Sequence, residues 1–286
     1  MRDATTDIDG RTVAFADYGP AGATPVLWCH GGPGSRWEPA PLAGAAAEAG
    51  LRLVGIDRPG YGGSTPQPGR TIAGWVADAL VVAGLLGLDR FATVGVSTGG
   101  AYALALAALA PERVLATVLC AAMTDMSCDS CRSTMDQEFT RAVWDATDRD
   151  AAMAASAAAH GPNGSRLVER AAQLAPADAR LFRDPAWLAS MRAEAVPAMF
   201  AFGFAGYADD RLADRDGWTG FDPAAVRAPV VVLHGGDDRI VDPSQARHTA
   251  SLVPGARLQV VEGHGHFSIT PLVVPVLAEL LAGASR

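Results

Sequence analysis

The chain has 286 residues, enough for one large domain, or a domain with an insertion, to bury a full core without metal or disulfide staples. A formal net charge of −8 and a pI of about 5.2 exclude the basic footprint of a protein that binds nucleic acid or an anionic membrane. With 49% hydrophobic and 19% charged residues the composition is globular, and no apolar run approaches a membrane span.

Asp7-Ile-Asp-Gly10 followed by Arg11 to Phe15 predicts a hairpin with Asp9-Gly10 as its turn. Strand-like and helix-like segments then alternate. Pro25 to Cys29, Leu51 to Ile56, Phe91 to Val96 and Val114 to Cys120 read as buried strands. Between them lie a short alanine-rich helix at Pro41 to Ala49, a helix at Ile72 to Leu86, and one from Ala101 that stops at Ala110-Pro111, where proline blocks continuation. From Met123 to Phe221 the patterns are helical and no strand is convincing. Alternation resumes with a strand at Pro229 to Leu233, a helix at Ser244 to Leu252, a strand at Leu258 to Val261 and a helix at Pro271 to Leu281. Apolar strands separated by helices predict an α/β fold, a mostly parallel sheet covered on both faces. The expected organisation is a core of residues 1–122 and 222–286, interrupted by a helical cap insertion of residues 123–221.

The stretch TVGVSTGGAY, Thr93 to Tyr102, sets Ser97 between Gly95 and Gly99 where an apolar strand gives way to a helix. A serine hydroxyl attacks carbonyls only when a base takes its proton and the residue stands clear of its neighbours. A sharp strand-turn-helix gives that presentation by straining the serine and crowding the positions two before and two after it. A helix beginning at Thr98 would aim free N–H groups at developing negative charge.

The Gly95-Val-Ser-Thr-Gly99 pattern resembles the nucleophile elbow of the α/β-hydrolase family. His30-Gly-Gly-Pro-Gly34, directly after the first buried strand, is similar to the family's second oxyanion loop. The resemblance implies oxyanion donors at the N–H groups of Gly32 and Thr98, with His30 holding the loop. Asp57-Arg-Pro-Gly-Tyr-Gly62 resembles another family hallmark and is read as a brace for the site. The family order of nucleophile, acid and base selects Asp238 in the stretch after Val230 to Leu233, with Asp237 solvated beside it and Asp125 in reserve. It selects His266 in Gly-His-Gly-His-Phe267 as the base, with His264 the lesser candidate. His160 and His248 carry no motif and are read as solvated.

The implied activity is that of a serine hydrolase acting on a small or medium carboxylic ester through an acyl-enzyme, with Ser97, His266 and Asp238 as its triad. No metal or organic cofactor is implied, and the expected partner is a small ester, with homodimerisation left open. Two rivals stay open. Proline iminopeptidases share the His-Gly-Gly-Pro-Gly loop; that reading needs cap carboxylates, for which Glu138, Glu169 and Glu194 are available. A non-catalytic receptor on the same fold would keep only the pocket. Charges near the N-terminus, where a signal peptide needs an apolar stretch, predict a cytoplasmic protein, and four cysteines fit that compartment, where thiols stay reduced. Cys128-Asp-Ser-Cys131 has metal-ligand spacing, but no second pair accompanies it in the sequence; a labile disulfide stays open. The aromatic stripe from Met199 to Tyr207 is read as packing, with a pocket lining as the alternative.

Overall fold

Asp9 and Gly10 both adopt positive φ, 52° and 76°, as a two-residue hairpin turn matching the strand twist requires. They join β1 (Arg2–Ile8) to β2 (Arg11–Tyr18) in a computed structural model that describes residues 1–135, 138–166, 174–190 and 196–284. The remaining strands are β3 (Thr24–Cys29), β4 (Leu51–Ile56), β5 (Phe91–Val96), β6 (Val114–Cys120), β7 (Val230–Gly235) and β8 (Arg257–Val261). Together they form one eight-stranded sheet in the order β1-β2-β4-β3-β5-β6-β7-β8. The first hairpin is antiparallel and pairs antiparallel with β4, while β4, β3, β5, β6, β7 and β8 run parallel. The expected mostly parallel sheet is therefore the one observed.

Two cores lie on opposite faces of the sheet. On one face Leu27, Cys29, Val54 and Ile56 pack with α2 (Ile72–Leu85), α3 (Gly99–Leu109) and Ala246 of the helix between β7 and β8. On the other, Val26, Trp28, Leu51 and Leu53 meet α1 (Ala43–Glu48) and the C-terminal helix Val273–Ala284. Strands with neighbours above and below have no solvent face, which is why their sequences read as apolar runs. The departures are the two edge strands: β1 is largely exposed, and Arg257 and Leu258 of β8 are exposed.

Between β6 and β7 every described regular element is helical. These are α4 (Asp129–Ser133), α5 (Glu138–Trp144), α6 (Arg149–His160), α7 (Pro176–Leu181), α8 (Pro185–Ser190), α9 (Val196–Met199) and α10 (Ala205–Asp214). The two helices after β7 are α11 (Pro243–Leu252) and α12 (Val273–Ala284). Val143 of α5, Ala152 of α6 and Tyr207 and Ala208 of α10 close over Tyr61 from the core. Two histidine readings change here. His160 is buried, its ring 4.6 Å from Tyr207 and 5.9 Å from Phe200, so the aromatic stripe packs within the insertion around it. His248 is half-buried on α11, with Nδ1 2.8 Å from the Thr124 hydroxyl. Glu169 and Glu194 lie outside the described residues, as does the side chain of Glu138.

Candidate active site

Ser97 directly follows β5 with φ 53°, a conformation a non-glycine residue holds only under constraint from its surroundings. The constraint is visible on both sides. Its N–H donates to Cys120 O at 3.0 Å, and its carbonyl accepts from Gly100 N at 3.0 Å and Met123 N at 3.2 Å. A Cβ on Gly99 would stand 2.0 Å from Cys29 O, and one on Gly95 would stand 2.4 Å from Gly99 O. The backbone of α3 is therefore pressed against β3 and β5 at the turn, and only glycine permits that approach.

The loop after β3 runs alongside. A Cβ on Gly31 would lie 3.6 Å from Ser97 Cβ, and one on Gly32 would lie 2.8 Å from Thr98 Oγ1. Among the described residues the N–H groups of Gly32 and Thr98 donate to no protein acceptor, so both remain available to a ligand oxygen. The loop is held from behind. His30 is fully buried, with Nδ1 2.7 Å from Gly31 O and Nε2 accepting from Arg58 N–H at 3.1 Å. Burial, reinforced by the Arg58 charge, keeps its ring neutral, with a pKa well below the ordinary histidine range. Glu38 accepts from Gly31 N–H at 3.0 Å and from Trp28 Nε1 at 2.7 Å. Burial pushes its carboxyl up against those bonds, and its charge also acts on His266. Asp57 braces the next turn, accepting from Arg36 N at 2.6 Å and Gly63 N at 2.9 Å.

Asp238 and His266 meet as the sequence order anticipates: His266 Nδ1 lies 2.8 Å from Asp238 Oδ2, both side chains buried. Asp238 Oδ1 accepts from the N–H groups of Ile240 and Val241 at 2.8 and 2.9 Å. Burial works against its charge, yet His266 and His234 hold its carboxyl far below the usual range. An ionised acid fixes the proton on His266 Nδ1 and leaves Nε2 as the basic nitrogen. Burial likewise opposes the imidazolium, but Asp238, together with the charges of Asp178 and Glu38, turns the balance and the His266 pKa is raised. Ser97 and His266 are not hydrogen-bonded; among the described residues the Ser97 hydroxyl has no partner. Such contacts commonly tighten only when substrate binds. The other candidates separate cleanly. Asp237 is exposed, His264 is half-buried with Nδ1 on Glu262 O, and Asp125 caps a turn through Ser127 and Trp218 N–H.

Several residues around the site escape a sequence reading. His234 Nε2 donates between Val241 O at 2.9 Å and Asp238 Oδ2 at 3.2 Å, a second imidazole on the acid. Asp178 of α7 receives His266 N at 2.7 Å on Oδ2, and Phe267 N and Ser268 N at 3.1 and 2.8 Å on Oδ1. Asp210 of α10 is buried between two arginines: it bonds Arg58 Nη2 at 2.7 Å, Arg70 Nη2 at 2.5 Å, and the hydroxyls of Tyr61 and Tyr102 at 2.7 and 2.8 Å. Arg58 also donates to the carbonyls of His30 and Gly31. Arg211, the residue after Asp210 on α10, donates to Thr98 Oγ1 at 2.7 Å and pairs with Asp214 at 2.6 Å. The segment Asp209-Asp-Arg-Leu-Ala-Asp214 carries no motif; only the fold shows that Asp209, Asp210, Arg211 and Asp214 are buried, with Asp210 and Arg211 against the loop and the elbow.

Residues 24–270 match a family described as alpha/beta hydrolase fold. The chain is 28% identical over 94% of its length to a non-heme chloroperoxidase of Streptomyces lividans, 95% of which is covered. Among solved structures, an enol-lactonase from Burkholderia xenovorans LB400 superposes with a TM-score of 0.73 at 20% identity, over 98% of this chain and 100% of that one. A thermophilic esterase from Thermogutta terrifontis gives 0.68 at 22% identity, with both chains fully covered. No helix among the described residues is long and apolar enough to cross a membrane.

Proposed function

The chain belongs to the α/β-hydrolase fold family, and on that premise we propose that it is a serine hydrolase cleaving a small or medium carboxylic ester. His266 takes the Ser97 proton, Ser97 attacks the carbonyl, and the amides of Gly32 and Thr98 hold the oxyanion. The alcohol leaves with the proton from His266, and water activated by the same imidazole then releases the acid. Asp238 keeps the imidazole oriented and stabilises its cation. Loss of one oxyanion donor typically costs about 3 kcal/mol of barrier, so the bracing of the Gly32 loop bears directly on rate. Residues 123–221 serve as the cap, and the reading includes a cytoplasmic location.

The observation that carries this reading is Ser97 itself, a buried residue held at φ 53° at the head of a helix, a strain with no purpose for a serine that only packs. Hydrolysis of p-nitrophenyl acetate or butyrate, abolished in Ser97→Ala and blocked by fluorophosphonate labelling of Ser97, is the expected result. Fast cleavage of proline p-nitroanilide with negligible ester turnover would instead select the aminopeptidase. Folded protein that neither turns over nor labels would select the receptor. The name of the Streptomyces relative favours a second reading built on the same acyl-enzyme. Hydrogen peroxide in place of water would release a peracid, which oxidises halide outside the protein. Peroxide-dependent bromination that disappears together with esterase activity in Ser97→Ala tests it.

A further inference from the structure

Folding supplies the Cys128-x-x-Cys131 pair with the ligand that its sequence neighbourhood does not. Both sulfurs and one ring nitrogen of His248 lie within 4.8 Å of one another. Cys128 caps the start of α4 just beyond β6, while His248 stands on α11, after β7, so three donors converge from two separate parts of the chain. The surroundings hold them together. Gln245, one turn before His248, accepts from Thr124 N–H at 3.2 Å and donates to Thr134 Oγ1 at 3.1 Å, clamping both ends of the cysteine segment onto α11. Thr124 Oγ1 sits 2.8 Å from His248 Nδ1 and orients the ring, as the outer partners of metal-bound histidines do. Cys131 is buried, whereas Cys128 and His248 are half-buried, which leaves a route in from solvent. Thiolate and imidazole donors suit zinc, whose bonds of about 2.3 Å to sulfur and 2.0 Å to nitrogen place tetrahedral donor atoms roughly 3.5–4 Å apart.

We propose that Cys128, Cys131 and His248 form a binding site for one zinc-type divalent cation, which ties the start of the helical insertion to core helix α11. In the structure the two sulfurs are joined as a disulfide, so the metal form is the reduced alternative of the same pair. A phosphine or dithiol reductant supplies two electrons to open the sulfur–sulfur bond. Each thiol then releases a proton to solvent as its sulfur–metal bond forms, and water fills the fourth position. This site is separate from the proposed triad, and its test does not depend on hydrolase activity.

The experiment titrates Co²⁺ into full-length protein reduced with a phosphine and desalted without oxygen, after confirming two accessible thiols; Cys29 and Cys120 are buried and do not interfere. One equivalent should bind with a thiolate-to-cobalt absorption band, and Zn²⁺ should displace it. Cys128→Ser and Cys131→Ser should each abolish the band, and His248→Ala should weaken binding about a hundredfold. Free thiols with no band overturn the proposal, as does a band that His248→Ala leaves unchanged or a disulfide that resists the reductant. If a cysteine variant fails to fold by circular dichroism, His248→Ala and His248→Asn decide alone, because that ring is half-exposed.

Discussion

The sign of the His266 shift fixes how activity should follow pH. In the proposed mechanism the imidazole must be neutral to accept the Ser97 proton, so turnover should rise as pH climbs through its pKa. Burial is the largest single influence and depresses that pKa, but the charge and hydrogen bond of Asp238, with the charges of Asp178 and Glu38, together raise it. The acid limb of kcat/KM for an activated ester should therefore have its midpoint above the ordinary value of about 6.5. Asp238→Asn removes the raising charge and leaves the burial, so the midpoint should fall below that value while kcat drops on the order of 10³–10⁴-fold. A limb unmoved in Asp238→Asn would mean that the acid does not act on the imidazole. At the elbow, Gly99→Ala would set a methyl group 2.0 Å from Cys29 O, a backbone atom that cannot rotate away. Destabilisation of about 3 kcal/mol is expected from chemical denaturation, with Ser97 labelling lost even below the transition. Wild-type labelling in Gly99→Ala would show that the turn tolerates the displacement.

At the scale of elements, the histidine loop depends on α7. A hairpin end or helix cap would ordinarily satisfy the amides of His266, Phe267 and Ser268; here one carboxylate from the insertion does so. Asp178 therefore couples the placement of α7 to the position of the proposed base, and its charge also helps raise the His266 pKa. Asp178→Asn keeps one acceptor oxygen and exchanges the other for a donor facing backbone N–H. It should cost about 1–3 kcal/mol of stability and lower kcat while moving the acid limb to lower pH. The shift in the limb is the part that a purely structural role would not produce; a fall in stability with an unchanged limb would confine Asp178 to scaffolding. Nothing in Pro176-Ala-Asp-Ala-Arg-Leu181 marks this role, since an aspartate in the first turn of a helix is already accounted for by the helix dipole.

Across the whole molecule, what the sequence disclosed follows how local each determinant is. Apolar strands with their turns, and the order of the serine, aspartate and histidine loops, are written in short stretches and could be placed to within a residue or two. The contacts that join the insertion to the core could not, because Arg58, Arg70, Asp210 and Arg211 are ordinary surface residue types until the fold brings them together. His160 and His248 failed for the same reason. The buried charges also make a prediction about cooperativity. Asp210 is the counter-ion of both Arg58 and Arg70, which hold its carboxyl well below the usual range despite burial. Removing it leaves two uncompensated buried cations, a loss of about 3–5 kcal/mol. The cost falls on the boundary between α10 and the loops after β3 and β4, so Asp210→Ala should unfold in parts. Hydrogen exchange should show α5, α6 and α10 opening while β5 and β6 stay protected, where the wild type protects both together. Equal loss of protection in both regions would make Asp210 a core residue like any other and would remove the case for the insertion as a separately opening unit.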